Sequence, residues 1–336
     1  MSDSPTPHFG ECMNESEYHI QVRPSISPKT MSPIFFVCPV DKNPLLDSGT
    51  ALTCPKCEKA FPLVNGVPVL INEDNSVFRI SDYTQGTGYG GASSYGGSLD
   101  RVSGFKKAYR RFARMLSETD VVGWSFDAIE HIVAVNSNPR ILIIGAGDRI
   151  YPGDVVFTDV SLAKGVACIC DAHDIPFADN SFDAVFAEAV LEHVCDPQRC
   201  VSEIARVLKP GGFVMAVTPF LQPVHMGAHD FTRFTYMGHR RLFRHFDDIQ
   251  SGPCGGPVYS WIHLFRNMLL SLSDNHKIQS AMRFIGLLLT YPVRWLEKIF
   301  PRTQTAYNSA CAFYFLGRLR EQPIPDREII SMFRGR

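Results

Sequence analysis

The 336-residue chain has no hydrophobic run long enough to cross a bilayer. The longest uncharged apolar run near its C-terminus, residues 284–293, is far shorter than the ~20 residues that a transmembrane helix needs. The first twenty residues are polar and acidic, and they lack the apolar segment of a secretory signal peptide. We therefore expect a soluble, cytoplasmic protein.

The chain also has almost no net charge, at −1, which gives no reason to expect a nucleic-acid partner. Ten cysteines in a chain of this length are too sparse for a disulfide scaffold. Three of them, Cys168, Cys170 and Cys311, lie in apolar runs and are interpreted as small buried hydrophobes. This cysteine usage indicates a reducing compartment. A hydrophobic content of 45% and a charged content of 20% are ordinary for a soluble globular protein.

One stretch organises the chain. Residues 140–144 form a short β-branched run that is typical of a buried strand, and Gly145 and Gly147 follow it. A second apolar run, residues 155–158, ends on Asp159. Strand, glycine turn, strand and terminal acid together indicate the nucleotide-binding end of a doubly wound sheet. The glycines let the backbone approach a ligand, and the acid can accept hydrogen bonds from a ribose diol.

The following residues carry further motifs, DAHDIPFADNSFDAVFAEAVLEHV and then EIARVLKPGGFVMAVTP. In this order the motifs resemble the class I S-adenosylmethionine (SAM) dependent methyltransferases, the type 11 group in particular, over roughly residues 106–320. The resemblance implies an α/β fold with a doubly wound, mostly parallel, seven-stranded Rossmann-like sheet. It also implies SAM as cofactor and methyl transfer as the reaction.

The same resemblance implies a set of cofactor-binding residues at the carboxyl ends of strands, where open α/β sheets bind ligands. The glycine turn would pass beneath the methionine and ribose, Asp159 would bind the ribose hydroxyls, and Asp171 would face the adenine amino group. The full set is Gly145, Ala146, Gly147, Asp159, Asp171, Ala172 and Glu188.

Two features depart from the family pattern. Ile143 stands where the first strand usually carries an acid, so a contact near the SAM amino group is supplied elsewhere or lost. Only about ten residues separate the first two strands, whereas a parallel crossover normally needs a dozen or more. The first crossover helix must therefore be vestigial.

The segment after the fifth predicted strand, residues 213–217, concentrates titratable side chains, six of them within the fifteen residues from His225 to His239. Methyl transfer needs positioning and, for a hydroxyl acceptor, a general base. We predict His225 or His229 as that base, Asp230 as its orienting partner and Arg233 as a clamp on an anionic substrate. In the alternative interpretation, Asp230 and Arg233 form an ion pair that holds the loop.

A short motif, LEHV at residues 191–194, follows the fourth predicted strand, residues 183–187, and is predicted to open a helix. It is interpreted as a packing and capping feature, and His193 is not taken as a base.

In the N-terminal part the composition predicts a disordered tail, residues 1–33, followed by a small β-rich module, residues 34–73. Cys54 and Cys57 form a CPxC knuckle that can aim two thiolates at one metal. In the partner knuckle Cys38 is followed by Asp41 instead of a second thiol. The module resembles the zinc-ribbon-like activator subunit of tRNA methyltransferases. A zinc site with three thiolates and one carboxylate is one expectation, and a ribbon that has lost its metal is the other.

The remaining boundaries follow composition. Residues 74–104 are rich in Gly, Ser and Tyr and form a linker or a lid. Residues 105–320 form the methyltransferase domain, with helical patterns at 105–116 and 124–135 and a helical insertion at 258–300. The insertion is a cap over the substrate crevice or, less favoured, a peripheral membrane contact. Residues 321–336 form a C-terminal tail.

The sequence therefore predicts a SAM-dependent methyltransferase that acts on a small molecule. Oxygen is favoured as acceptor because of the crowded histidines, and family association suggests a sugar or natural-product intermediate. The alternatives are a catalytically silent SAM-binding scaffold and a macromolecular methyltransferase whose ribbon recruits a partner. Nothing in the sequence indicates an oligomeric state.

Overall fold

The computed structural model describes residues 33–86, 124–147, 153–163, 165–299 and 303–335. Within them one mixed sheet has the strand order β1-β2-β3-β4-β7-β6-β5-β8-β9-β11-β10. The strands are β1 (Leu46–Asp47), β2 (Ala51–Thr53), β3 (Ala60–Val64), β4 (Val67–Leu70), β5 (Arg140–Ile144), β6 (Asp154–Asp159), β7 (Cys168–Cys170), β8 (Phe182–Glu188), β9 (Leu208–Pro219), β10 (Phe246–Cys254) and β11 (Ala312–Leu319).

The α-helices lie between these strands and at the end of the chain. They are α1 (Ile80–Thr84), α2 (Trp124–Val135), α3 (Pro197–Val207), α4 (Tyr236–Leu242), α5 (Pro257–Leu270), α6 (His276–Thr290), α7 (Leu296–Ile299) and α8 (Asp326–Ser331). The helix predicted at 124–135 is confirmed, whereas the one predicted at 105–116 lies outside the described residues. No described helix is long and apolar enough to span a membrane.

The centre of the sheet is parallel, from β4 through β7, β6, β5 and β8 to β9. Strands of this kind are covered on both faces, which is why β5 reads as a continuous apolar run and is buried along most of its length. Ile144 pairs with Thr158 on one side and with Ala187 on the other. This register brings the carboxyl ends of β5, β6 and β8 to one edge of the sheet.

The far side of the sheet is antiparallel, with β11 lying between β9 and β10. The apolar run at residues 310–319 is typical of a strand, and β11 lies there, buried over most of its length. The sequence does not single out β10, the edge strand, because Asp247 and Asp248 break its apolar pattern. An edge strand keeps one side in water, so its sequence carries a weaker signal than a central strand.

The sheet has eleven strands rather than the seven predicted, because the N-terminal module joins it. Asn65 and Gly66, both at positive φ, connect β3 and β4 in a tight two-residue hairpin. Strand β4 then pairs parallel with β7, with Val69 opposite Ile169. Without this pairing the backbone groups along that edge of β7 would lack partners, which explains why the module extends the sheet.

The module also shares the main hydrophobic core. Phe61, Leu70 and Cys54 are fully buried in the same cluster as Leu142 and Val156 of the central strands. The N-terminal module therefore packs as part of the molecule and not as an appendage. The domain boundaries proposed from composition stay predictions.

The motif at residues 191–194 lies in a turn and not, as predicted, in the first turn of a helix. The helix α3 begins later because Asp196 caps it, accepting a hydrogen bond from the Arg199 amide at 3.0 Å. Pro197 occupies the first helical position, where its missing N–H costs nothing. The polar side chains of this turn, Glu192 and His193, therefore do not lie on a helix.

Candidate active site

A crevice opens at the carboxyl ends of β5, β6 and β7. Its lining comes from the segment after β4, the glycine turn, the ends of β6 and β7, the turn after β8, and the loop after β9. Those used below are Val77, Phe78, Gly145, Asp159, Asp171, Ala172, Val190, His193 and His229.

The glycine turn is shaped by two positive-φ positions, Gly145 and Gly147. A Cβ on Gly145 would come within 2.4 Å of Val190 Cγ2, so only glycine fits there. The Gly147 amide donates to Asp159 Oδ2 at 2.9 Å, which ties the turn to the end of β6. Ala146 between them is buried and donates its amide to the Thr158 carbonyl.

The Asp159 carboxylate keeps limited capacity for a ligand. Its Oδ1 accepts from both the amide and the hydroxyl of Ser161 at 2.8 Å, and its Oδ2 accepts from Gly147. An ionised carboxylate has about four acceptor positions, so one position on Oδ2 remains for a hydroxyl. Binding of a diol through both oxygens requires the Ser161 hydroxyl to turn away.

Asp171 is buried at the end of β7 and organises its neighbours. Its Oδ1 accepts from the amide and from Nδ1 of His173, and its Oδ2 accepts from the Ser76 hydroxyl at 2.6 Å. The Asp196 amide donates to His173 Nε2 at 3.0 Å, so the neutral ring carries its proton on Nδ1. As with Asp159, one acceptor position is left on Oδ2.

The first part of the predicted linker or lid packs against the crevice. Val77 and Phe78 line it, and the Tyr83 hydroxyl donates to the Val160 carbonyl at 2.6 Å. Burial raises the pKa of Tyr83, with the Asp171 charge acting the same way, so this hydroxyl stays a donor. Residues 87–123 lie outside the described part of the chain.

The predicted site residues do not all meet. Gly145, Asp159, Asp171 and Ala172 line the crevice, but Glu188 is not among its lining residues. Of the predicted catalytic residues, His229 lines the crevice, with its ring stacked on Phe78 at a centroid distance of 5.6 Å.

Asp230 and Arg233 form a two-pronged ion pair that holds the loop after β9. Arg233 also donates to the carbonyls of Pro223 and Thr232, and the His225 amide donates to Asp230 at 2.7 Å. Burial of Asp230 acts to raise its pKa, but the hydrogen bonds from Arg233 and His225 outweigh it and hold that pKa below its usual range. This geometry matches the loop-holding alternative.

The structure brings Glu192 and His193 beside His225, a cluster that sequence reasoning missed. Glu192 is fully buried, and His193 lines the crevice. One feature of the sequence could have pointed to this cluster: an acid stands between the apolar residues Leu191 and Val194. Both of these are buried, and the motif does not form a helix. A buried acid at such a place needs a partner, which packing alone does not supply.

The predicted helical insertion contains α5 and α6, and neither helix contributes to the crevice lining. On α5, burial lowers the pKa of His263, with further contributions from Arg266 and His225. The cap over the substrate crevice stays a prediction.

At the N-terminal knuckles, Cys38, Asp41, Cys54 and Cys57 place one donor atom each within 4.8 Å of one another. The sulfurs of Cys38 and Cys57 are 3.6 Å apart, and Cys54 Sγ lies 3.4 Å from Asp41 Oδ1. Burial raises the pKa of Cys38 to about 12, so without a metal this thiol keeps its proton at neutral pH. The donor set could hold zinc, which displaces that proton.

The two knuckles have the same backbone form. In each, the amide four residues after the first cysteine donates to that cysteine's carbonyl, at 2.9 Å from Lys42 and 3.0 Å from Glu58. Lys42 and Glu58 both have a φ of +61°. Asp41 therefore occupies the place that Cys57 holds in the other knuckle, and its carboxylate is aimed like a ligand.

Two family models match parts of the chain: a methyltransferase domain over residues 149–216 and a Trm112p-like protein over residues 35–66. A ubiquinone/menaquinone biosynthesis C-methyltransferase, UbiE, from Cupriavidus necator is 37% identical over 79 residues, or 19% of this chain and 32% of the relative. A demethylmenaquinone methyltransferase from Renibacterium salmoninarum is 47% identical over 53 residues, or 16% and 22%. The chain thus spans about a third or less of the length of these curated relatives.

Among solved structures, Haemonchus contortus phosphoethanolamine N-methyltransferase 2 with S-adenosyl-L-methionine aligns at 16% identity and a TM-score of 0.39, covering 69% of this chain and 59% of that one. A chain of the complex that contains the Haloferax volcanii Trm112 methyltransferase activator aligns at 16% identity and a TM-score of 0.34, covering 58% and 89%. By the two family models, the chain carries a methyltransferase domain at residues 149–216 and, N-terminal to it, a Trm112p-like part at residues 35–66.

Proposed function

We propose that the chain is a SAM-dependent methyltransferase that acts on a small-molecule acceptor. The observation that carries the proposal is the meeting of the glycine turn, Asp159 and Asp171 in one crevice at the carboxyl ends of adjacent parallel strands. That is where open α/β sheets bind nucleotides, and each acid retains an acceptor position for a ligand. The match to the methyltransferase-domain model supports the reaction class.

In this proposal the chain's own residues divide the work. Asp159 accepts a hydrogen bond from a ribose hydroxyl, and Asp171 accepts one from the adenine amino group. At Gly145, which has no side chain, the ligand can lie close to the backbone of the turn. When bound, SAM supplies a methyl group that its sulfonium already activates. The remaining task is to place the acceptor and remove its proton.

His229 is the proposed base, because it lines the crevice and its ring is positioned by Phe78. An imidazole suits proton transfer near neutral pH. An oxygen acceptor, such as a sugar or natural-product hydroxyl, remains the first proposal because a hydroxyl must lose its proton. A carbon acceptor is the second, because the UbiE relatives are named C-methyltransferases and an acidic carbon also needs a base.

The acceptor is best sought by incubating the protein and SAM with metabolite extracts and recording which masses gain a methyl group. We expect His229→Ala to lower turnover on that acceptor by ~10²–10⁴-fold while SAM binding stays intact. The exposed His276→Ala serves as control and should keep full turnover. Full turnover in His229→Ala would remove the base and favour a nitrogen acceptor.

We further propose that the Trm112p-like part serves its own methyltransferase domain and not a separate protein. One edge of β4 pairs with β7, and the Lys42 ammonium at the first knuckle forms an ion pair with Glu203 of α3 at 2.9 Å. These contacts bind the module to the central sheet and to a helix of the same chain.

A peripheral membrane contact stays a lesser proposal. The helices α5 and α6 leave large apolar side chains exposed, and α6 carries Lys277 and Arg283 without an acid. The exposed residues include Trp261, Leu264, Met268, Ile285, Leu288 and Leu289. We expect the wild-type protein to co-sediment with anionic vesicles and the Leu288→Glu, Leu289→Glu double variant to stay in solution. Absence of co-sedimentation in wild type would exclude the contact.

A further inference from the structure

Three side chains beside the crevice, Glu192, His193 and His225, are called here the Glu-His-His cluster. Glu192 Oε1 lies 3.6 Å from His193 Nε2 and 3.7 Å from His225 Nε2. The donor atoms all lie within 4.8 Å of one another. Nothing in the loop-holding contacts or in the proposed base accounts for this arrangement.

Glu192 is the first indication of a missing ligand. Its side chain is 0% exposed, and neither carboxylate oxygen has a hydrogen-bond partner within the described residues. A carboxylate buried without hydrogen bonds is costly unless a positive charge lies beside it. The loop after β9 closes over it, because the Phe231 and Thr232 amides donate to the Glu192 backbone carbonyl.

His193 is the second indication. Its Nδ1 donates to the His229 carbonyl at 2.7 Å, so the neutral ring presents the Nε2 lone pair. That Nε2 is buried and makes no hydrogen bond within the described residues, and it faces Glu192. Two buried acceptor atoms 3.6 Å apart repel each other unless a cation or a proton sits between them.

His225 completes the set from the other side and is about one-third exposed, at 31% of its side chain. Its Nδ1 lies 3.4 Å from Asp230 Oδ2 and 3.3 Å from Arg233 Nη2. With the proton on Nδ1 directed at Asp230, the ring presents the Nε2 lone pair as a ligand, and Arg233 Nη2, which can only donate, no longer hydrogen-bonds to this ring. A carboxylate behind a metal-binding histidine is a common way to fix its ring and raise its basicity.

We propose that the Glu-His-His cluster binds a divalent first-row transition-metal ion, with Zn²⁺ as the preferred class. Ligands about 2.1 Å from a tetrahedral ion stand about 3.4 Å apart, close to the two measured separations. Two imidazoles favour such an ion over Mg²⁺ or Ca²⁺. Three protein ligands also leave a coordination position open, which distinguishes catalytic from structural sites.

The test is the metal content of the intact chain after equilibration with excess Zn²⁺ and desalting. We expect the zinc content of wild type to exceed that of Glu192→Gln and that of His225→Ala by one ion per chain. Any zinc at the cysteine knuckles contributes equally, because these variants leave the knuckles untouched. With Co²⁺ in place of Zn²⁺, the ion lost in the variants should contribute no thiolate charge-transfer absorbance.

The matched control is His229→Ala, which removes a neighbouring histidine outside the cluster and should keep the full metal content. His225→Ala decides the outcome if Glu192→Gln fails to fold, because His225 is partly exposed and its loss strands no buried charge of its own. Equal zinc content in wild type and His225→Ala would overturn the proposal and indicate that a proton holds Glu192 and His193 together.

Discussion

At the scale of the residue, Gly145 shows how one missing side chain shapes the crevice. Its φ of +66° is one that other residues adopt only with strain, and a Cβ there would meet Val190. These are separate penalties, one from the backbone and one from packing. Both act on the turn that we propose lies under the cofactor.

We expect Gly145→Ala to cost about 1–2 kcal/mol from backbone strain and a further amount from the Val190 clash. Gly49→Ala is the matched control, because Gly49 has a φ of +83° but no atom near its Cβ position. Denaturant unfolding should therefore show a larger loss for Gly145→Ala than for Gly49→Ala. Equal losses would contradict the contact with Val190.

His239 is a second residue with a measurable signature. It is buried among Phe234, Phe243 and Phe315, and burial lowers its pKa to about 3, with the Arg240 charge adding to the effect. Below about pH 6.5 the unfolded chain binds a proton at this position that the folded chain does not. The free energy of unfolding should therefore fall as the pH drops from about 6.5 toward 3.

The expected slope from this residue is about 1.4 kcal/mol per pH unit below pH 6.5. His239→Leu should flatten the acid side of the stability curve, since its Nε2 has no hydrogen-bond partner within the described residues. His276→Leu, at an exposed position, should leave the slope unchanged. An acid slope that stays the same in His239→Leu would show that this histidine is not the group concerned.

At the scale of the element, the N-terminal module behaves as four strands of a larger sheet. Phe61 of β3 is fully buried in the core that also holds Leu142 of β5. We expect Phe61→Ala to cost ~3–5 kcal/mol and to lower the unfolding temperature of the whole chain in one transition. The exposed Phe35→Ala should change little.

The contrary result is a calorimetric scan with two transitions, in which Phe61→Ala shifts one and leaves the other in place. The module would then fold on its own, and the pairing of β4 with β7 would be a weak association.

Some of these elements could be predicted from the sequence and others could not. The central strands were predictable because burial on both faces makes them continuous apolar runs, as in β5. Edge strand β10 and the joining of β4 to β7 were not, because pairing between distant segments leaves little trace in local composition. The same limit applies at the site: Asp159 and Asp171 follow strands, whereas the Glu-His-His cluster arises from two turns about thirty residues apart.

At the scale of the whole molecule, one core and one sheet connect the cysteine knuckles to the crevice. Ser76, Val77 and Phe78 follow the module in the chain and lie against the crevice, with Ser76 bound to Asp171. The module therefore leads directly into a segment that lines the proposed cofactor site. This arrangement supports the proposal that the Trm112p-like part serves its own chain.

The central claim is that this crevice binds SAM, and calorimetric titration with SAM and with S-adenosylhomocysteine tests it most directly. We predict one binding site per chain in wild type and a loss of ~1–3 kcal/mol of binding free energy in Asp159→Ala. Asp179→Asn, which changes an exposed acid that pairs with Arg206, should bind like wild type. Absence of binding in wild type, or unchanged affinity in a folded Asp159→Ala protein, would contradict the account.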